Sequence, residues 1–279
     1  MKTIILDTDI GTNPDDFFSL LILLHAKNIN LPLIITGNKF PKERALFVKK
    51  ILDNEKRNDI EVYAGEEAGC VDFFGQEVID GYDAAIPTGY IGAIKKVIDT
   101  NDEVIYLNIQ GCSNLSMFIN QYPEYRSRMK VFHMGMTTKG CGDYIGGGTN
   151  MEADPLAAKK VYEAGLDLTI VGSHTTINDA LRVHPETSLY KKLEASTHPN
   201  HQLLFKHLQE YHARRNIWPA LHDPLTVGVA LGENFVELET REVTFREDGQ
   251  YKEGKGTSVL ISKNASKAAE FMKFCTEII

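Results

Sequence analysis

Long apolar runs are missing from this sequence. The best, residues 17–26, covers ten positions and is interrupted by Ser19 and His25, against the ~20 that a membrane helix needs. After Met1 and Lys2 only four residues precede Asp7, too short a stretch for the apolar core of a signal peptide. Cysteine is scarce. Cys70, Cys112, Cys141 and Cys275 form no CxxC pair, which argues against a disulfide scaffold or a structural zinc site and for a reducing, cytoplasmic setting. Positive charge is in deficit, with 30 Lys and Arg against 38 Asp and Glu and a net charge of −8. That excludes the basic footprint of a nucleic-acid binder. No linker, repeat or low-complexity tract divides the chain, so residues 1–279 read as one domain. The expectation is a soluble, acidic, globular protein with no membrane or nucleic-acid partner.

What is present is an alternation. Apolar, β-rich runs at 3–6, 31–36, 60–64, 104–109, 129–133 and 168–171 are separated by segments of helical length, 15–27 and 41–52 among them. Continuous apolar strands between helices predict an α/β fold with a mostly parallel central sheet flanked by helices. Near the C-terminus, 243–245 and 258–261 enclose Asp248-Gly249, which predicts an antiparallel excursion followed by a closing helix. Ligands of such sheets bind outside the carboxyl ends of the strands.

The first of those ends is acidic. Asp7, Asp9, Asp15 and Asp16 fall within ten residues, and no Lys or Arg occurs from Asp7 to Ala26. A helix N-terminus accommodates one anion at ~0.3–1 kcal/mol; it does not offset several crowded carboxylates. A hard divalent cation does. The competing reading makes Asp15 or Asp16 a helix cap and the others solvated loop acids. Far downstream stands His222-Asp223-Pro224. By itself it reads equally as a capped helix start with Pro224 in the first turn. Beside an acidic cluster, His222 gains a meaning as a proton donor.

Taken in order, Asp7-x-Asp9 with Asp15-Asp16, Gly37-Asn38, Val62-Tyr63-Ala64-Gly65, Met134-Gly135, Asn150 with Asp154-Pro155, and His222-Asp223-Pro224-Leu225 resemble the inosine/uridine-preferring nucleoside hydrolases. The resemblance implies an α/β enzyme with one Ca²⁺ that hydrolyses the N-glycosidic bond of ribonucleosides, in nucleoside salvage, as a homo-oligomer (dimer or tetramer). It implies Asp9, Asp16, Asp223 and the backbone carbonyl of Ser113 as metal ligands, with Asp7 supporting them. Asp15, Asn38, Met134 and Asn150 would bind the substrate. Asp9 would take the proton of the attacking water, and His222 would protonate the departing base. The chemistry suits an oxocarbenium-like transition state, which surrounding anions stabilise.

There are departures. Two residues are inserted before Asp15-Asp16 relative to the family's usual DxDxGxDD. A family Glu that holds the end of the ribose falls on Gly148, in Gly146-Gly147-Gly148, and a family Asn falls near Asp143. The family's VGLDVT becomes Val171-Gly172-Ser173-His174-Thr175-Thr176. The glycine run reads equally as a surface loop or as room for a ligand. Tyr211, His212 and Trp218, and Phe73, Phe74 and Tyr82, are aromatics that could stack on a base or simply fill the core. These changes leave a ribosyl-binding or catalytically weak relative as the alternative. A phosphoryl hydrolase lacks any glycine-rich phosphate cradle here.

Overall fold

A computed structural model describes residues 1–69, 72–136 and 148–279. Asp143, Gly146, Gly147, Cys70 and Cys141 lie outside the described residues. The strands are β1 (Lys2–Thr8), β2 (Ile29–Thr36), β3 (Glu61–Ala64), β4 (Val104–Asn108), β5 (Met129–Met134), β6 (Asp167–Val171), β7 (Glu237–Phe245), β8 (Tyr251–Glu253) and β9 (Thr257–Asn264). The helices are α1 (Pro14–His25), α2 (Pro41–Asn54), α3 (Gln76–Ile79), α4 (Tyr90–Asp99), α5 (Ser113–Gln121), α6 (Thr149–Glu152), α7 (Pro155–Tyr162), α8 (Ser173–Thr176), α9 (Ser188–Ala195), α10 (Pro199–Arg215), α11 (His222–Leu231) and α12 (Ala268–Ile278). Among the described residues no helix is long and apolar enough to cross a membrane.

β1 is buried at every position from 3 to 8, as its unbroken apolar run predicts for a strand covered on both faces. Alternate side chains divide between two cores. Ile4 and Leu6 pack with α1, α2 and α11, while Ile5 packs with α4, α5 and α7 on the opposite face. Among the described residues the nine strands form one sheet in the order β3-β2-β1-β4-β5-β6-β9-β7-β8. β1 lies parallel to β2 on one side and to β4 on the other, so chain order reverses there. That is the topological switch point, and the acidic segment leaves from it.

The antiparallel excursion is larger than its sequence signal. β7 begins at Glu237, well before Val243, because its first half pairs with β9 rather than across the Asp248-Gly249 turn. β9 also runs parallel to β6, which stitches the hairpin into the main sheet.

Candidate active site

Each acidic residue reaches the site for a local reason. Asp7 lies in β1, and the loop after the strand carries Asp9. Asn13 then caps α1 without a side-chain bond and Pro14 occupies its first turn, where the missing N–H costs nothing. Asp15 and Asp16 follow in that first turn. At α11 the cap is Leu221, with Asp223 inside the first turn. None of these aspartates is therefore an N-cap; the Asp-Pro that is one is Asp154-Pro155, whose carboxylate accepts from the Ala157 N–H at 3.1 Å.

Carboxylate oxygens of Asp15, Asp16 and Asp223 come within 4.8 Å of one another. The three residues are at most 4% exposed. Oδ1 of Asp15 is buried without a hydrogen-bond partner, whereas Oδ1 of Asp16 accepts from the Thr8 hydroxyl at 2.5 Å. Asp9 stands outside this group of three but lines the same cavity. Its Oδ2 accepts from the Asn38 amide at 2.9 Å. Asp7 is one layer deeper, fully buried, and accepts from Tyr106 at 2.7 Å, from Asn114 at 2.8 Å and from Gln110. Burial pushes all five carboxyls up, Asp7 and Asp15 to about 7. For Asp16 and Asp223 the neighbouring carboxylates push further the same way; for Asp9, Arg44 and Asn38 pull back.

Asp9, Asp15, Asp16 and Asp223 form one wall of a cavity of about 630 Å³. His222 is on that wall, its Nδ1 2.7 Å from the Thr176 hydroxyl. Burial, and then the charge of Arg182, lowers its pKa to about 4. Met134 and Ser173 line the cavity from the ends of β5 and β6, and Gly148 and Asn150 from the start of α6. The Asn150 amide donates to the carbonyls of Met134 at 2.9 Å and Ile109 at 3.3 Å. From α10 come Tyr211 and Arg215, one turn apart.

Two expected residues sit elsewhere. Ser113 is in the first turn of α5 with its hydroxyl on Asp154 at 2.8 Å, and is not on the cavity wall; the residue after β4 that does line the cavity is Ile109. Asn38 also lies off the wall and reaches the site through Asp9. Of the aromatics, Tyr211 lines the cavity, while Trp218 stacks on His212 at 3.8 Å and packs with Tyr190. Phe73 packs on Phe47, and Tyr82 bonds Asp53 at 2.6 Å. Cys112 is buried near His133 and takes no part in the cavity.

Sequence reasoning missed Ile109, Asp72, Thr12, Arg215 and the buried Arg44. Ile109 was accessible, since strand ends line such sites. Arg44 gave no signal, being one of several charges on a helix whose burial only the fold decides.

A plant nucleoside hydrolase is similar in structure with a TM-score of 0.79, at 18% identity over 99% of this chain and 98% of its own. An inosine-uridine preferring nucleoside hydrolase from Bacillus anthracis has a TM-score of 0.76 at 15% identity, over 100% and 99% of the two chains. A purine-preferring ribonucleoside hydrolase from Gardnerella vaginalis reaches 0.76 at 18% identity, over 99% and 98%. At such identities the likeness is one of fold. Comparison with curated proteins finds no match to the sequence. The profile of the inosine-uridine preferring nucleoside hydrolases, however, matches residues 4–278, and the chain belongs to that family of N-glycosyl hydrolases.

Proposed function

We propose that this hydrolase acts on ribonucleosides with the aid of one Ca²⁺, releasing ribose and a free base. The observation that carries the reading is the convergence of buried carboxylates, one oxygen of which has no partner, on the cavity wall that also holds His222. The donors are all oxygen, with no thiolate or imidazole among them, and an all-oxygen set suits a hard cation. Asp9, Asp16 and Asp223 are the residues assigned to hold it. The cation, when bound, supplies charge that fixes vicinal hydroxyls and eases deprotonation of a nearby water.

The chain's own groups then have distinct work. The unpartnered Oδ1 of Asp15 accepts a ribose hydroxyl, and Asn150, which lines the same cavity, contacts the sugar as well. Asn38 pins Oδ2 of Asp9, leaving the other oxygen to take a proton from water as its oxygen bonds to C1′. The C1′–N bond breaks, and His222, held through Nδ1 by Thr176, delivers a proton to the departing base nitrogen from Nε2. The carboxylates around the sugar stabilise the positive charge that develops between these events.

The test is ribose release across a panel of nucleosides, modified bases included, with Ca²⁺ and with chelator. Release that chelator stops and Ca²⁺ restores is the expected result. No ribose from any nucleoside with Ca²⁺ present would overturn the reading.

A further inference from the structure

Arg44, on α2, is 0% exposed, and a buried guanidinium persists only where its charge and its five N–H donors are met. The donors reach loop carbonyls and a loop hydroxyl. Nη1 donates to the carbonyl of Asp9, to that of Ile10 at 2.9 Å and to the Thr12 hydroxyl at 3.1 Å. Nε donates to the Lys39 carbonyl at 2.8 Å, and Nη2 to the Asp72 carbonyl at 3.1 Å. The acceptors belong to the segments that leave β1, β2 and β3, three neighbouring strands of the sheet. One planar fork thus ties three strand exits together.

Other contacts close the same junction. The Thr12 hydroxyl donates to the Asp72 carbonyl, and the Phe74 N–H donates to the Gly11 carbonyl at 2.7 Å. Gly11, at φ +103°, has no room for a Cβ because the Phe73 ring occupies that space. This is the loop that carries two residues more than the family's usual spacing, and a longer loop is harder to hold in one geometry.

We infer that Arg44 is a positioning residue for the reaction. It fixes the backbone of Asp9 and Ile10 against the next two loops, so that the Asp9 carboxylate keeps its place beside Asp16. A lysine would carry the same charge without the fork, and a point charge cannot reach acceptors spread over three loops.

The inference rests on the function proposed above, and its test separates the two. In the full-length chain, Arg44→Lys, Arg44→Ala and Thr12→Val are compared with wild type by kcat and KM, by Ca²⁺ calorimetry and by thermal melting. Both Arg44 variants lose kcat by about 10- to 100-fold, the scale of a small misplacement of a reacting group, while KM stays within a few-fold. Guanidinium ion restores part of the kcat of Arg44→Ala and none of that of Arg44→Lys. Arg44→Lys binds Ca²⁺ about ten-fold more weakly, because the ligand geometry loosens although the charge remains. Thr12→Val, which removes one acceptor, loses kcat by a few-fold and serves if Arg44→Ala does not fold. Folded Arg44 variants with unchanged kcat, or Arg44→Lys with unchanged Ca²⁺ affinity, would overturn the inference. So would a loss of kcat that follows the melting temperature and ignores guanidinium. Wild type that releases no ribose is instead a failure of the hydrolase reading, and the Ca²⁺ affinities still decide on Arg44.

Discussion

His222 lines the cavity, and its site favours the neutral ring: burial, and then Arg182, oppose its charge. Its contribution should therefore scale with how much protonation the leaving group needs. His222→Ala is expected to slow inosine by roughly 10²–10⁴-fold, the usual range for a general acid, and a nitrophenyl riboside far less. Equal losses on the two substrates would exclude His222 as the acid. Gly148 supports a second expectation. It lines the cavity at φ +81°, and a Cβ there would come within 3.3 Å of the Ser173 hydroxyl, so the position carries no side chain to grip the sugar. A hydroxyl bonded to a charged partner is worth roughly 1.5–3 kcal/mol. With that partner absent, 5′-deoxyinosine should retain kcat/KM within about ten-fold of inosine, whereas 2′-deoxyinosine should be poor. A loss of a hundred-fold or more on removing the 5′-hydroxyl would mean that another residue holds it.

At the scale of elements, α10 supplies Tyr211 and Arg215 to the cavity wall from its C-terminal end. Midway along it His207 is buried, with Nε2 3.0 Å from the Thr12 carbonyl and its ring edge-on to Phe47 at 6.1 Å. The helix is thereby fastened to the acidic loop. His207→Ala opens a hole and leaves that carbonyl unpaired, an expected cost of roughly 2–4 kcal/mol, with KM rising as α10 loosens. Urea unfolding and steady-state kinetics measure the two effects. A change under about 0.5 kcal/mol, ordinary for a surface site, would show that α10 is held by other contacts.

The whole molecule carries a cluster of buried carboxyls whose pKa values lie above the ordinary 3.8, Asp7 and Asp15 at about 7. A raised folded-state pKa favours folding with the proton on. That contribution is complete below about pH 4 and is lost as pH rises through about 7. His133 and His207, pushed by burial from 6.5 to about 4, act oppositely: their contribution is present above 6.5 and is lost as pH falls towards 4. At about pH 6.5 an unfolded histidine is still half protonated, so between about pH 6.5 and 8 the histidines offset the carboxyls in the chelated protein. The Ca²⁺-induced shift isolates the carboxyls: Ca²⁺ should raise the melting temperature more at about pH 8 than at pH 6.5, since protons then no longer compete for its ligands. Equal Ca²⁺ shifts at the two pH values would count against a cation on this cluster.

Much of this was legible in the sequence because local signals and tertiary structure agreed. The apolar strands could only be buried on two faces, and the parallel sheet followed from that. The acid run after β1 and the distant His222-Asp223 were visible as residue types that need an explanation. Other features needed the fold. Whether Asp223 capped its helix or faced the cluster depended on where α11 begins, a matter of one or two residues that propensity does not resolve. Ser113 and Ile109 lie a few residues apart between the end of β4 and the start of α5, and only the fold brings one to Asp154 and the other to the cavity. Arg44 is the clearest case. No Lys or Arg occurs in the chain from Asp7 to Ala26, and α2 brings one behind the aspartates. Charge pattern along a sequence reports neighbours in the chain, whereas the electrostatics of a site are set by neighbours in space.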